Sequence, residues 1–308
     1  MSLTFGPVPS RRLGRSLGID LLPFKTCTHD CVYCQLGRTE ALAFRRRRFR
    51  TAGAVAEAVA RALAGCGGAD TLTFSGSGEP TLELGLGEMI RTLKRRFSLP
   101  VAVITNGALL CRPEVREDLM AADMVLPSLD AWTEEMFRRI NRPHPRLRLG
   151  RTLEGLTAFG KAFRGELWLE VLFVAGVNDA PQDLPGLLRW VERVRPGRIQ
   201  INTVVRPPAE PWARAVPTDR LEEIRQALGP CAEIIAPFRG EAERVARAGL
   251  EDRVLEMVLR RPLTAADVVA TLGIEAKGAE AFLDGMARRH GLVREQVGDR
   301  VYYRKQSA

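Results

Sequence analysis

Thr71-Leu72-Thr73-Phe74-Ser75-Gly76-Ser77-Gly78-Glu79-Pro80 runs from a short segment of apolar residues and threonines into a glycine-rich turn. Its first four residues read as a strand, and the glycines let backbone approach a ligand closely where that strand ends. Alone, Gly-x-Gly-Glu-Pro is more often a tight turn, so its meaning depends on its surroundings. Strand patterns also cover Ser16 to Leu21, Val101 to Thr105, Met124 to Pro127, Leu167 to Val174 and Arg198 to Val204. Helical patterns lie between them, over Ala54 to Ala64, Leu86 to Phe97, Thr133 to Ile140, Thr152 to Phe163, Leu184 to Val194 and Leu221 to Leu228. This alternation predicts an α/β chain with a parallel sheet. At this length the expected form is a partial (β/α)6 TIM-like barrel with its chemistry at the carboxyl ends of the strands.

Near residue 240 the rhythm changes. Arg244 to Arg260, Thr264 to Leu272 and Lys277 to His290 read as helices, and Leu292 to Gln296 and Arg300 to Arg304 as strands around a Gly298-Asp299 turn. Three short helices and a two-stranded wing predict a small winged helix-turn-helix domain over 241–308, following a barrel over 1–240. No internal repeat or low-complexity tract interrupts either part.

Composition narrows the function classes. Of 308 residues, 45% are hydrophobic and 27% charged, which excludes a disordered chain, and six Cys are too few for a disulfide scaffold. The start, Met-Ser-Leu-Thr-Phe-Gly-Pro, has no charged segment leading into an apolar one, and the longest apolar run, Val171 to Val177, is strand-sized. The expected location is the cytosol, away from membranes. Forty-six Lys and Arg against 37 Asp and Glu leave a charge of +9, which favours anionic partners. Arg45 to Arg48 is the densest charge run and reads either as a basic rim at the barrel mouth or as an edge whose charges prevent strand pairing.

Three of the six Cys crowd into Cys27-Thr28-His29-Asp30-Cys31-Val32-Tyr33-Cys34, while Cys66, Cys111 and Cys231 are scattered. Thiolates at this spacing on a loop can converge on one metal centre. A structural zinc would need a fourth ligand from elsewhere, whereas a four-iron cluster can leave one iron open to an exogenous ligand. The loop follows the first strand of the β/α series, where barrel active sites sit, and that placement favours the cluster.

The Cys-x3-Cys-x2-Cys pattern, with aromatic Tyr33 just before its last Cys, resembles the signature of the radical S-adenosylmethionine (SAM) superfamily. The resemblance implies a [4Fe-4S] cluster on Cys27, Cys31 and Cys34. S-adenosyl-L-methionine would chelate the fourth iron and be cleaved reductively to a 5′-deoxyadenosyl radical that abstracts hydrogen from substrate. It further implies an electron donor such as flavodoxin or ferredoxin. Behind the Cys loop, Gly76, Ser77, Gly78, Glu79 and Pro80 are similar to the superfamily's Gly-Gly-Glu element, whose backbone carbonyls take the SAM amine; Ser77 stands where the family often has Gly.

Later strand ends supply further candidates for the SAM ribose or carboxylate: Asn106 in Thr105-Asn106-Gly107, and Ser128 and Asp130 in Ser128-Leu129-Asp130-Ala131. Helix N-capping is an even alternative for each of these. Glu170, Asn178 and Asp179 on and after the fifth strand, and Asn202 on the sixth, belong to the same class. Asn202 shares a strand face with Gln200. Arg142-Pro143-His144-Pro145 and Arg206-Pro207-Pro208-Ala209-Glu210 read either as anion clamps or as ordinary helix-terminating loops.

The opening Phe5-to-Asp20 segment with Arg11 and Arg12, the Cys loop, the glycine-rich turn and Arg206-Pro-Pro together resemble an iron–sulfur oxidoreductase branch related to the wyosine-base synthases of tRNA modification. The archaeal wyosine synthases carry a second cluster on upstream Cys, and none of the 26 residues before Cys27 is Cys. Three functions follow as expectations. The first is a radical SAM enzyme acting on RNA, guided by Lys277, Arg288, Arg289, His290, Arg294, Arg300, Arg304 and Lys305 of the C-terminal domain. The second is a radical SAM enzyme acting on a peptide, protein or small metabolite, with that domain as a docking element. The third is a DNA-binding redox sensor that never turns over SAM.

Overall fold

The computed structural model describes residues 2–10, 12–39, 41–65, 68–235, 250–272 and 276–306. Arg11, Cys66, the expected domain boundary at 240 and the start of the helix expected from Arg244 lie outside the described residues. Strands β1 (Thr4–Ser10), β2 (Gly14–Ile19), β3 (Thr71–Phe74), β4 (Val101–Thr105), β5 (Met124–Pro127), β6 (Glu166–Phe173), β7 (Arg198–Thr203) and β8 (Ala232–Ile234) form one eight-stranded sheet in sequence order. β1 runs antiparallel to β2, and every later neighbouring pair is parallel. The sequence pattern predicted six strands. β1 was missed because its proline-rich Phe-Gly-Pro-Val-Pro lacks a strand's alternation, and β8 because it is three residues long.

Helices α1 (Ala52–Ala64), α2 (Leu86–Arg96), α3 (Pro113–Leu119), α4 (Glu134–Met136), α5 (Leu149–Ala162), α6 (Leu184–Val194) and α7 (Thr218–Leu228) fill the crossovers. The outward strand residues Leu17, Ile19, Leu72, Phe74, Val101, Val103, Val125, Leu169, Val171, Ile199 and Ile201 join the helices in one large core. The opposite faces turn inward, where Leu13, Ala102, Leu126 and Trp168 plug one level of the interior. A sheet wound in one direction with helices outside is an open β/α barrel, so every parallel strand delivers its carboxyl-end loop to one mouth. α4, part of a helix expected over Thr133 to Ile140, passes into a π-turn over Phe137–Asn141.

Beyond the barrel come α8 (Leu250–Val258), α9 (Ala265–Leu272), α10 (Ala276–His290) and the antiparallel hairpin of β9 (Leu292–Val297) and β10 (Arg300–Lys305). Their core contains Val254, Met257, Val258, Leu263, Val268, Leu283, Met286 and Tyr303, together with Phe5 and Val8 of β1. The first strand of the chain is therefore packed into its last module. That module also reaches both sides of the open barrel. Arg260 pairs with Asp20 at the end of β2, Lys305 lies over the Phe24 ring, Tyr302 donates to the Val205 carbonyl after β7, and Asp267 faces Arg206.

Candidate active site

Asp20 follows β2, and the chain then loops through Cys27, Cys31 and Cys34 before α1. Each sulfur meets a nitrogen donor from a different segment. Lys25 Nζ approaches Cys34 Sγ at 3.2 Å, Asn106 Nδ2 approaches Cys27 Sγ at 3.5 Å, and Asn141 Nδ2 approaches Cys31 Sγ at 3.6 Å. The π-turn sets the third of these. Its extra residue also lets the Asn141 and Arg142 carbonyls accept the Asp30 amide and the Ile140 carbonyl accept the Val32 amide, so the Cys loop is sewn to it. Burial, followed by the charge of Glu79, pushes the Cys27 thiol up to about 12. Burial likewise holds Cys31 well above the usual thiol range. Such thiols ionise when iron replaces the proton, and the surrounding N–H groups then face negative sulfur.

The glycine-rich loop after β3 is fixed from below. Asp20 accepts from the Ser77 amide at 3.2 Å and from Ser77 Oγ at 2.5 Å. A Cβ at Gly76 would strike that same Asp20, and one at Gly78 would strike the Thr26 carbonyl, so both glycines are needed for close packing. Gly76 also holds φ at 148°. Glu79 is buried and accepts four hydrogen bonds: from the Thr81 amide and hydroxyl, Thr105 Oγ1 and the Asn106 amide. Burial raises its pKa while these bonds oppose the rise. Pro80 starts a buried 3-10 turn over Pro80–Leu82.

Asn106 caps the turn after β4 and also reaches the Cys loop. Its Oδ1 caps the Ala108 amide at 3.0 Å, while its Nδ2 serves Thr28 Oγ1 at 2.8 Å as well as Cys27. Asp130 is no cap. It accepts from the Leu172 amide, from Asn141 Nδ2 and, at 2.5 Å, from Tyr33 OH. Burial raises the pKa of Asp130, and burial together with Asp130 keeps Tyr33 a phenol. Ser128 pairs through its backbone with Glu170, whose carboxylate meets Arg12 inside the barrel. Asn202 Oδ1 accepts the neighbouring Thr203 amide, and Gln200 points to the same inward face.

Several side chains that the sequence offered as ligands hold loops instead. Asn178 is fully buried and spends its amide on Asp130, Leu172 and Val174, while Asp179 accepts the Gly176 amide. The two proline-rigid loops meet each other, with Arg142 bound to Asp30 and to Glu210. His144 stacks on Phe44. Lys25 and Asn141 carry no signal in the sequence, and Asp20 enters it only as the end of the Phe5-to-Asp20 segment. The one available signal was position, since Asp20 closes β2 as Asn106 closes β4.

Among the described residues, no group of three or more His, Cys, Asp or Glu side chains closes on a single metal ion. Three thiolates on one loop, each met by an N–H donor, fit a four-iron cluster, which takes one thiolate on each of three irons. The sequence profile of the radical SAM superfamily matches residues 21–191, the span that carries these loops. The chain belongs to the radical SAM superfamily.

This radical SAM chain is 32% identical to a UPF0026 protein of Methanocaldococcus jannaschii over 99% of its own length and 96% of the relative's. It is 33% identical, over 95% of its length, to a Brachyspira hyodysenteriae protein called GTPase Obg, of which it spans 43%. The solved structure of TYW1 with a lysine-pyruvate adduct bound shares its fold, with a TM-score of 0.57 and 18% identity over 73% of this chain and 75% of that one. As a radical SAM enzyme the protein uses a [4Fe-4S] cluster and S-adenosyl-L-methionine. Among the described residues no helix is long and apolar enough to cross a membrane.

Proposed function

We propose that this radical SAM enzyme abstracts hydrogen from an RNA substrate bound along the barrel mouth. Cys27, Cys31 and Cys34 would hold the cluster, which supplies the electron that cleaves SAM. The loop over Gly76, Ser77 and Gly78 would seat SAM through its backbone, with Glu79 and Asp130 fixing the loops on either side. Arg12, Glu170, Ser128 and Asn202 face the interior where a substrate group would enter. A small acidic electron carrier, flavodoxin or ferredoxin, would supply the reducing electron.

The observation that carries the RNA reading is a rim on the cluster loop's outer side. Arg138 and Arg148 are exposed there and line a cleft with Asp30, Thr39, Glu134, Arg142 and His144, and exposed Arg146 lies 6.0 Å from the ring of Phe44, on which His144 stacks. Trp212 is 43% exposed with the Arg139 guanidinium 5.8 Å from its ring. Cations beside an accessible aromatic suit phosphates and an unstacked base. The Arg run is split, because Arg46 turns inward to the Thr81 and Glu83 carbonyls and Asp118.

The C-terminal basic residues support this reading less. Arg289 and His290 meet Glu251, Arg294 meets Glu280, and Arg304 meets Glu295. Over 241–308, twelve Lys and Arg face eleven Asp and Glu. That near-neutrality, with the Arg12–Glu170 pair inside the barrel, favours a second reading in which the substrate is a small charged metabolite.

Anaerobic reconstitution tests the shared core. About four irons per chain and reductant-dependent 5′-deoxyadenosine are expected, both lost in Cys31→Ala. RNA binding separates the two substrate readings. The expected affinity falls with salt, by about 0.7 in logarithmic slope per phosphate contact, and Arg138→Glu with Arg148→Glu flattens that slope. No RNA binding at low salt would leave the metabolite reading standing.

A further inference from the structure

We infer that Arg260 of the C-terminal module is a positioning residue for SAM, acting through Asp20 and Ser77 on the glycine-rich loop. Arg260 and Asp20 form an ion pair at 3.1 Å in which the two side chains are 2% and 3% exposed. The rest of the guanidinium is also fixed, since it donates to the Ser2 and Glu256 carbonyls at 2.6 and 2.8 Å and lies 4.9 Å from the centre of the Phe5 ring. Asp20 in turn takes both Ser77 donors and forms the floor against which Gly76 rests. From Ser77 the path continues to the cluster. The Ser77 carbonyl accepts the Lys25 amide at 2.8 Å, and Lys25 Nζ reaches Cys34 Sγ.

One carboxylate thus joins a residue 240 positions away to the loop between β3 and α2. A buried carboxylate that loses its cation must draw in water or turn toward other donors, and Asp20 has Ser77 as its other bound partner. Turning it would release Ser77 and unseat the backbone around Gly76. The module then does more than dock a substrate, because SAM loop geometry exists only when the module is in place. This inference rests on the reading that the glycine-rich loop seats SAM.

The test uses the full chain with its cluster reconstituted, and equilibrium dialysis with SAM. Arg260→Met is expected to keep about four irons per chain yet bind SAM about tenfold more weakly, the size of coupling common within one hydrogen-bond network. Arg260→Lys restores most of the affinity, because an ammonium can still face Asp20. Ser77→Ala weakens SAM binding alone but adds little in the Arg260→Met background. Should Arg260→Met fail to fold, Arg260→Gln, which removes the charge facing Asp20 but keeps a polar side chain, takes its place in the cycle with Ser77→Ala. Wild-type affinity in a folded Arg260→Met, or losses that simply add, would overturn the inference. A wild-type chain that holds its cluster and never binds SAM defeats the underlying reading instead.

Discussion

Asn106 donates to Cys27 Sγ and Thr28, accepts from the Ala108 amide, and gives its own amide to Glu79. One residue, through its side chain and its backbone amide, therefore ties the cluster loop, the glycine-rich loop and the end of β4 together. A hydrogen bond to a cluster sulfur favours the more negative, reduced state, so its removal lowers the reduction potential. Asn106→Ala is expected to retain its iron but to show a more negative midpoint in an EPR-monitored titration; an unchanged midpoint would count against this contact. At this scale the sequence was partly legible. Cys27, Cys31 and Cys34 stand out by spacing. Asn106 stands out by its place at a strand end, where capping is what its side chain does toward Ala108. Lys25 and Asn141 carried no signal because their partners lie 9 and 110 positions away, and only folding brings those partners near.

β1 shows how an element can be hidden by its composition. Two prolines and a glycine break the strand pattern, yet the segment pairs with β2 around an irregular register between Phe5 and Val8. An edge position tolerates proline because half its amides need no sheet partner. Phe5 covers Gly18 so closely that a Cβ there would strike its ring, and its other face meets the C-terminal helices. Phe5→Ala is expected to cost about 3–5 kcal/mol, read as a lower urea midpoint of the apoprotein and earlier proteolysis of the C-terminal module. The π-turn after α4 was equally invisible, since Phe137-Arg138-Arg139-Ile140-Asn141 has ordinary helical periodicity. Its wider turn is chosen by the Cys loop packed against it.

At the scale of the whole molecule, charge and docking separate. The surplus of +9 is carried almost wholly by the first 240 residues, since the last 68 hold one more basic than acidic residue. Reversing Arg288 and Arg300 is therefore expected to change RNA affinity far less than reversing Arg138 and Arg148, a contrast filter binding at two salt concentrations would read. Docking follows different groups. The C-terminal module is held by Arg260, Tyr302 and the shared core with Phe5 and Val8, all of them buried. Deleting the module would uncover that core and strand Asp20, so point variants are the sound way to ask what it does.

The barrel, the clustered Cys27, Cys31 and Cys34 and the glycine-rich loop are legible in the sequence alone. Those features are written in local periodicity and short spacing, which survive without any partner. Tertiary structure alone decided which donor meets each sulfur, which carboxylates hold loops, and that the first strand and last module form one core. Such contacts join residues up to 258 positions apart, and no local pattern encodes a pairing that only the closed fold creates.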